Sequence, residues 1–253
     1  MPAPFLVAQV SDPHIGGDWG GADPVAGLTE VLAAIRALPD PPDVLLVTGD
    51  LVDNGTDEEY GQVQELLAAV GAPLYVLPGN HDRRAGLRAR FGIPGDPSAP
   101  VQYAADLGPL RLVALDTTIP GHAAGELDSD RLDWLDAELT RAPEHPTLLA
   151  MHHPPVSTGM APWDEIGLAA ADRAALEEIV TRHPQVQRIV AGHIHQPLLA
   201  TLAGRPVLSI PSTYVQARVD FGAPEIQLGP GRSGFAVHAV IDGAISSYLH
   251  TVG

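Results

Sequence analysis

A chain of 253 residues, 45% of them hydrophobic, is long enough for one large buried core and short enough to form a single α/β domain over residues 1–253. It contains no cysteine, and all 14 of its basic residues are arginine, which excludes disulfides, thiolate chemistry, Cys-type zinc sites, a Walker P-loop, a Schiff-base lysine and a lysine general base. A net charge of −17 argues against a surface for extended nucleic acid, which needs clustered Lys and Arg to release counterions, but leaves room for a nucleotide-sized ligand held through metal ions.

Taken in chain order, Phe5–Val10 is a short apolar run that reads as a buried strand, and the segment from Met1 to Val10 lacks the basic start and long apolar stretch of a signal peptide. Asp23 before Pro24 is an N-cap followed by proline in the first turn, opening a helix over Val25–Leu38 with Leu28, Val31, Leu32 and Ile35 on one face. Val44–Val47 is the next strand, and Thr56 with Glu59 makes a capping box for a helix running to about Val70. Leu74–Leu77 and Leu110–Leu115 are further strands, with a Gly- and Pro-rich surface loop at Gly92–Pro100 between them. Asp128 caps a helix through Leu132, Leu135 and Leu139, and Leu148–Met151 follows as a strand. A helix over Ala170–Arg182 is stopped by His183 and Pro184, and Arg188–Ala191 and Val207–Ile210 are strands. After a loop at Gly222–Gly234, Phe235–Val240 and Ala244–Leu249 form a hairpin around Asp242 and Gly243. Alternating strands and helices give an α/β fold. No run approaches the roughly 20 apolar residues of a membrane span, so a soluble, cytoplasmic protein is expected.

The polar residues stand at the ends of these strands. Asp12 and His14 follow the first, and Gly49 and Asp50 the second. Gly79, Asn80, His81 and Asp82 follow the third, His152 and His153 follow Leu148–Met151, and Gly192, His193 and His195 follow Arg188–Ala191. Open α/β sheets bind ligands outside the carboxyl ends of their strands, so the five clusters are expected to converge on one crevice. Six of the 11 histidines lie in these clusters, which makes chance placement a poor account of them.

In this order, DxH, GD, GNHD, HH and GHxH resemble the motifs of the calcineurin-like metallophosphoesterases. SDPHI, TGDLVDNG, PGNHD, MHHPP and AGHIH look more narrowly like the class III cyclic nucleotide phosphodiesterase and glycerophosphodiesterase group, over residues 5 to about 215. The resemblance implies two packed mixed β-sheets flanked by helices, a four-layer sandwich. It also implies one metal ion on Asp12, His14, Asp50 and His195 and a second on Asp50, Asn80, His152 and His193, with Asp50 bridging by offering one oxygen to each cation. Two divalent cations against two carboxylates, with a bridging hydroxide, leave one positive charge to meet a phosphodiester monoanion. Mixed N and O donors suit Mn, Fe or Zn better than Ca or Mg.

The implied function is hydrolysis of a small phosphodiester, a cyclic nucleotide or a glycerophosphodiester, by hydroxide formed when the metals lower the pKa of water from about 15.7 to about 7. His81 is the candidate general acid, with Asp82 as its orienting partner, and Asn80, His81, His153 and His195 are the candidate substrate-contacting residues. A phosphomonoesterase or nucleotidase on the same metals is the alternative, and an inactive interaction module is disfavoured because all seven ligand positions carry ligand-competent residues. Related enzymes often form dimers, so a homodimer is a further option.

Around the motifs several readings stay open. His153 either contacts phosphate or supports the site from behind, and Trp163 either forms an apolar wall or anchors its own loop. Asp53 and Asn54 read as turn and helix-entry residues, His122 as a solvated loop histidine that could line the site, and Arg83 and Arg84 as solvated charges that could steer phosphate. His145, His183, His238 and His250 have no motif around them and read as surface or structural.

Overall fold

The computed structural model describes residues 3–253; Met1 and Pro2, at the head of the segment expected to carry no leader, lie outside it. In chain order the elements are β1 (Phe5–Val10), α1 (Pro24–Arg36), β2 (Val44–Thr48), α2 (Asp57–Ala68), β3 (Leu74–Leu77), α3 (Arg84–Phe91), β4 (Tyr103–Asp106), β5 (Arg111–Ala114), α4 (Ser129–Thr140) and β6 (Thr147–Ala150). There follow α5 (Ala161–Glu165), α6 (Ala170–Arg182), β7 (Val186–Ala191), β8 (Leu198–Leu202), β9 (Arg205–Ser209), β10 (Gln216–Ala217), β11 (Leu228–Gly229), β12 (Ser233–Ile241) and β13 (Ala244–Val252). Among the described residues no helix is long and apolar enough to cross a membrane.

Two large sheets face each other, one in the order β13-β12-β1-β2-β3 and the other β4-β5-β6-β7-β9-β8. Alternation along the strands sorts their side chains into layers. Val7, Val44 and Leu46 of the first sheet meet Leu112, Ala114, Leu148, Ala150 and Val190 of the second. Leu6, Ala8, Val10, Leu45 and Val47 turn the other way, onto Leu28, Val31 and Ile35 of α1 and Tyr60, Val63 and Leu67 of α2. On the far side Val113, Leu149 and Ile189 pack against Leu135 and Leu139 of α4 and Leu176 and Val180 of α6. The result is helix, sheet, sheet, helix, the expected four-layer sandwich. Strands β1, β2 and β3 are mutually parallel, as are β5, β6, β7 and β9, so each sheet brings several carboxyl ends to one edge.

The caps read from the sequence are present. Asp23 accepts from the backbone of Val25 and Ala26, Thr56 and Glu59 close a reciprocal box, and Asp128 accepts from Arg131. Elements without an extended buried face have no clear sequence signal: α3 buries only Leu87 and Arg88, while β4 and β8 are half-exposed edge strands. Part of the expected loop at Gly222–Gly234 is ordered differently, since β11 pairs with β10 and β12 begins at Ser233.

Candidate metal centre

Asp12, His14, Asp50, His193 and His195 all have positive φ, between 45° and 69°. Among the described non-glycine residues only Ala203 and Asp242 share that left-handed region. Asp, Asn and His are the side chains most tolerant of it after glycine, and a cluster of such residues marks a site where the fold holds strain in place. These turns also lace together, with the backbone N–H of Asp12 donating to Gly49 at 3.1 Å and that of His14 to Asp50 at 2.9 Å. Two motif glycines are required by close approach: a Cβ on Gly79 would lie 2.2 Å from Asp50 Oδ1, and one on Gly192 would lie 2.1 Å from Ser11 Oγ.

The five strand ends meet in one place. Asp12, His14 and His195 form one buried group able to hold an ion, and Asp12, Asp50 and His152 another. His14 Nε2 lies 3.1 Å from His195 Nε2 and 3.5 Å from Asp50 Oδ2, and His195 Nε2 lies 3.6 Å from Asp12 Oδ1. On the other side His152 Nε2 is 3.3 Å from the same Asp50 Oδ2 and 3.1 Å from Asn80 Oδ1, which is itself 3.1 Å from His193 Nδ1. One oxygen of Asp50 therefore serves both groups. The other, Oδ1, accepts the backbone N–H of His81 at 2.9 Å.

The proton bookkeeping of these rings fits a cation. The Nδ1–H of His195 donates to the carbonyl of Val215 at 2.9 Å and that of His152 to the carbonyl of Thr48 at 2.9 Å, and carbonyls only accept. His14 likewise turns Nδ1 to Asp53 Oδ1 at 3.2 Å. In its neutral form each ring is thus left with a lone pair on Nε2. The lone pairs of His14 and His195 face each other, and that of His152 faces Asp50 and Asn80 oxygens. Acceptors converging on acceptors in a dry interior are repulsive until positive charge sits between them. His193 Nε2 is buried without a partner.

The charges agree. Burial alone would raise the Asp50 carboxyl, but His152, His14 and His81 outweigh it and hold it well below the usual range. Burial opposes protonation of His152, yet Asp50 lifts it to about 9, so without a cation a proton fills the position on Nε2 that a bound ion would take. His195, by contrast, is pushed down by burial to about 4 despite Asp12.

His81 is held at the edge by Asp53. Its Nδ1 lies 3.1 Å from the Asp53 carbonyl and 3.3 Å from Oδ1, and Trp19 Nε1 donates to the same Oδ1 at 3.0 Å. Burial would raise the Asp53 carboxyl, but the hydrogen bonds from His14, His81 and Trp19 hold it far below its ordinary value. Burial disfavours the His81 cation, and its hydrogen bond to Asp53 with the charge of Asp50 more than compensates, lifting it to about 9. Asp82, expected to orient His81, has other partners: Oδ2 accepts from the backbone of Leu51 and Gly79, and Oδ1 from Tyr60 Oη. Burial and then Asp50 push Asp82 up to about 7.

His153 is fully buried, with Nδ1 2.8 Å from Thr117 Oγ1 and Nε2 3.0 Å from the carbonyl of Ala123. Burial, then the charge of His152, lower its pKa to about 3. Trp163 is buried with Met160, Ile194 and Ala217 and presents its ring edge-on to His193 at 5.6 Å, so it anchors its loop. Arg84 is no solvated charge. Its guanidinium is clamped by Asp116 at 2.8 Å and the carbonyls of Ser98 and Thr118. Arg83 is exposed, and it borders a cavity of about 360 Å³ lined also by Asp53, Asn54, Asn80, His81 and His122. A larger cavity of about 400 Å³, between Tyr75, Phe91, Ile93 and Tyr103, contains none of these groups.

Asp53 and Trp19 are the residues that sequence reasoning undervalued. Asp53 stands three places after Asp50, where its position reads as a turn, and the single usable hint is a carboxylate inside the TGDLVDNG motif. Trp19 lies in a glycine-rich loop with no motif, and its Oδ1 contact depends on tertiary structure alone.

Comparison with known proteins identifies the family. The family model described as calcineurin-like phosphoesterase matches residues 5–197. The chain is 34% identical over 220 residues to a glycerophosphodiester phosphodiesterase of Enterobacter lignolyticus, covering 84% of this chain and 78% of that one. It is 37% identical over 212 residues to a cAMP/cGMP dual specificity phosphodiesterase of Mycobacterium tuberculosis, covering 80% of this chain and 65% of that one. A dimetal phosphatase from Danio rerio shares the fold with a TM-score of 0.73 at 16% identity, over 99% of this chain and 100% of that one.

Proposed function

Because the chain belongs to the calcineurin-like phosphoesterase family, we propose that it hydrolyses a small phosphodiester, a cyclic nucleotide or a glycerophosphodiester, with the help of two divalent ions. Asp12, His14, Asp50 and His195 would hold one ion, and Asp50, Asn80, His152 and His193 the other. The observation that carries this reading is Asp50 Oδ2, which lies 3.5 Å from the free nitrogen of His14 and 3.3 Å from that of His152. Ions bound there would act as Lewis acids on a phosphoryl oxygen and supply water of lowered pKa as nucleophile. Nitrogen and oxygen donors together favour Mn, Fe or Zn.

The chain's own residues supply the rest. Two carboxylates, Asp12 and Asp50, leave excess positive charge on two divalent ions and so favour a phosphodiester anion. With Nδ1 tied to Asp53, His81 has Nε2 left to protonate the departing alkoxide, and the Asp53 carboxylate beside it favours the imidazolium that carries that proton. The cavity beside Asn80 and His81 is where the alcohol half of the substrate fits. His153, with both nitrogens engaged and its ring 4.4 Å from that of His193, would support the metal ligands rather than contact substrate.

Protein loaded separately with Mn, Fe and Zn, with bound metal counted, should cleave bis(p-nitrophenyl) phosphate faster than p-nitrophenyl phosphate. A panel of cyclic nucleotides and glycerophosphodiesters then ranks the substrates. Preference for the monoester would favour the phosphomonoesterase reading, and failure to take up any divalent ion would end both.

A further inference from the structure

Beneath the metal cluster lies a second buried polar group that no motif announces. Gln9, on β1, is fully buried between the sheets. Its Nε2 donates to Thr48 Oγ1 at 3.0 Å, at the end of β2 in the first sheet, and to the carbonyl of Ala191 at 3.1 Å, at the end of β7 in the second. Its Oε1 lies 3.0 Å from His238 Nε2, and His238 Nδ1 lies 2.8 Å from Ser247 Oγ.

The amide and imidazole protons of this chain have a forced direction. The Ala191 carbonyl can only accept, so the amide nitrogen of Gln9 faces it and Oε1 faces His238. His238 must then carry its proton on Nε2 and accept from Ser247 on Nδ1. Thr48 Oγ1, which accepts from Gln9, has Ser11 Oγ at 2.8 Å and the Val10 carbonyl at 3.4 Å to donate to, and Ser11 donates to the Thr48 carbonyl at 3.3 Å. That same carbonyl receives Nδ1–H of His152 at 2.9 Å.

We propose that Gln9, oriented by His238, is a positioning residue that fixes the spacing of the two sheets directly under the metal centre. The placement of its two acceptors is the reason. Thr48 is two residues before Asp50, and Ala191 is two residues before His193. One amide therefore joins the strand end bearing the bridging carboxylate to the strand end bearing two histidines of the opposite sheet. The surrounding contacts between Val7, Leu46, Leu148 and Val190 are apolar and non-directional, so they resist separation of the sheets but not small sliding. Ligand distances tolerate only about 0.2 Å. A bidentate hydrogen bond across the sheets supplies the directionality that packing lacks.

The inference rests on the two-ion reading, and the test separates their failures. Gln9→Met keeps the volume and removes the donors. Titrated with Mn(II), it should bind the second ion about tenfold more weakly, the scale seen when outer partners of metal ligands are lost. The exchange-coupled electron paramagnetic resonance spectrum of the ion pair should give way to that of isolated ions. His238→Leu, which strips the donor from Gln9 Oε1, should reproduce the change in milder form, and His238→Gln, which restores an N–H donor, should reverse it. Leu139→Ala, in the outer core between α4 and the second sheet, is the stability control and should lower Tm while leaving affinity and spectrum intact. Wild-type affinity and a coupled spectrum in both Gln9→Met and His238→Leu would overturn the proposal, as would equal weakening in Leu139→Ala. No uptake of metal by the unaltered protein would instead remove the two-ion reading, and this inference with it.

Discussion

Asp53 Oδ1 lies 3.3 Å from Nδ1 of His81, and this contact decides which ring nitrogen is left to meet a substrate. His81→Ala is therefore expected to retain its metal while kcat falls about 10²–10⁴-fold, the usual range for general-acid help. Asp53→Asn leaves the ring in place with a poorer partner and should lose about 10–100-fold. Steady-state kinetics on metal-counted protein check both, and an unchanged kcat in loaded His81→Ala removes that residue from the chemistry.

Sharing of Asp50 Oδ2 predicts unequal losses of metal. Asp50→Ala should empty both positions, whereas His195→Ala should empty only the one it shares with Asp12 and His14. Elemental analysis after dialysis distinguishes the two, and a single ion retained by Asp50→Ala would contradict the bridge.

Gly79→Ala would place a methyl carbon 2.2 Å from Asp50 Oδ1 and 2.3 Å from its backbone nitrogen. Neither atom is free to move, since the carboxylate is buried and tied to the backbone of His81. A loss of about 1–3 kcal/mol is expected from such overpacking, read by thermal denaturation, together with weaker ion binding in titration.

His238 predicts an acid sensitivity that does not involve the metal site. Burial, and secondarily the positive charge of Arg188 on β7, lower its pKa to about 3 in the folded protein. In the unfolded chain it titrates near 6.5. Between those values the unfolded state binds the extra proton, so stability is intact above about pH 6.5 and is lost as pH falls towards 3, at roughly 1.4 kcal/mol per pH unit. His238→Gln should remove this slope, measured as the difference between the two proteins in urea unfolding at pH 7, 6, 5 and 4. Parallel curves would show that the imidazole is not protonated on unfolding.

What could be read from the sequence had local causes. Asp23–Pro24, the Thr56–Glu59 box and Asp128 fix helix starts by hydrogen bonds within a few residues, and the fold reproduces all three. The apolar runs of β1 and β2 are buried on both faces, and that of β3 at its carboxyl end, which is why they stand out as strands. The Asp, Asn and His residues at their ends converge as the parallel order requires. Illegible features depend on partners distant in the chain. Gln9 and His238 are 229 residues apart, and each alone is a polar residue in a strand with no motif around it. Trp19 reaches Asp53 across 34 residues. Arg84, read as a solvated charge, is turned inward by Asp116 and the Thr118 carbonyl, which no local pattern encodes.

The left-handed backbone at Asp12, His14, Asp50, His193 and His195 links conformation to chemistry. A chain that must reverse sharply on leaving a strand tolerates few side chains besides glycine, and those few, Asp, Asn and His, are also hard and borderline electron-pair donors. At these corners the steric filter and the coordinative filter admit the same amino acids. Replacement by a β-branched or bulky residue is thus penalised twice, once by the bend and once by the loss of a donor, which leaves this part of the molecule few routes for change.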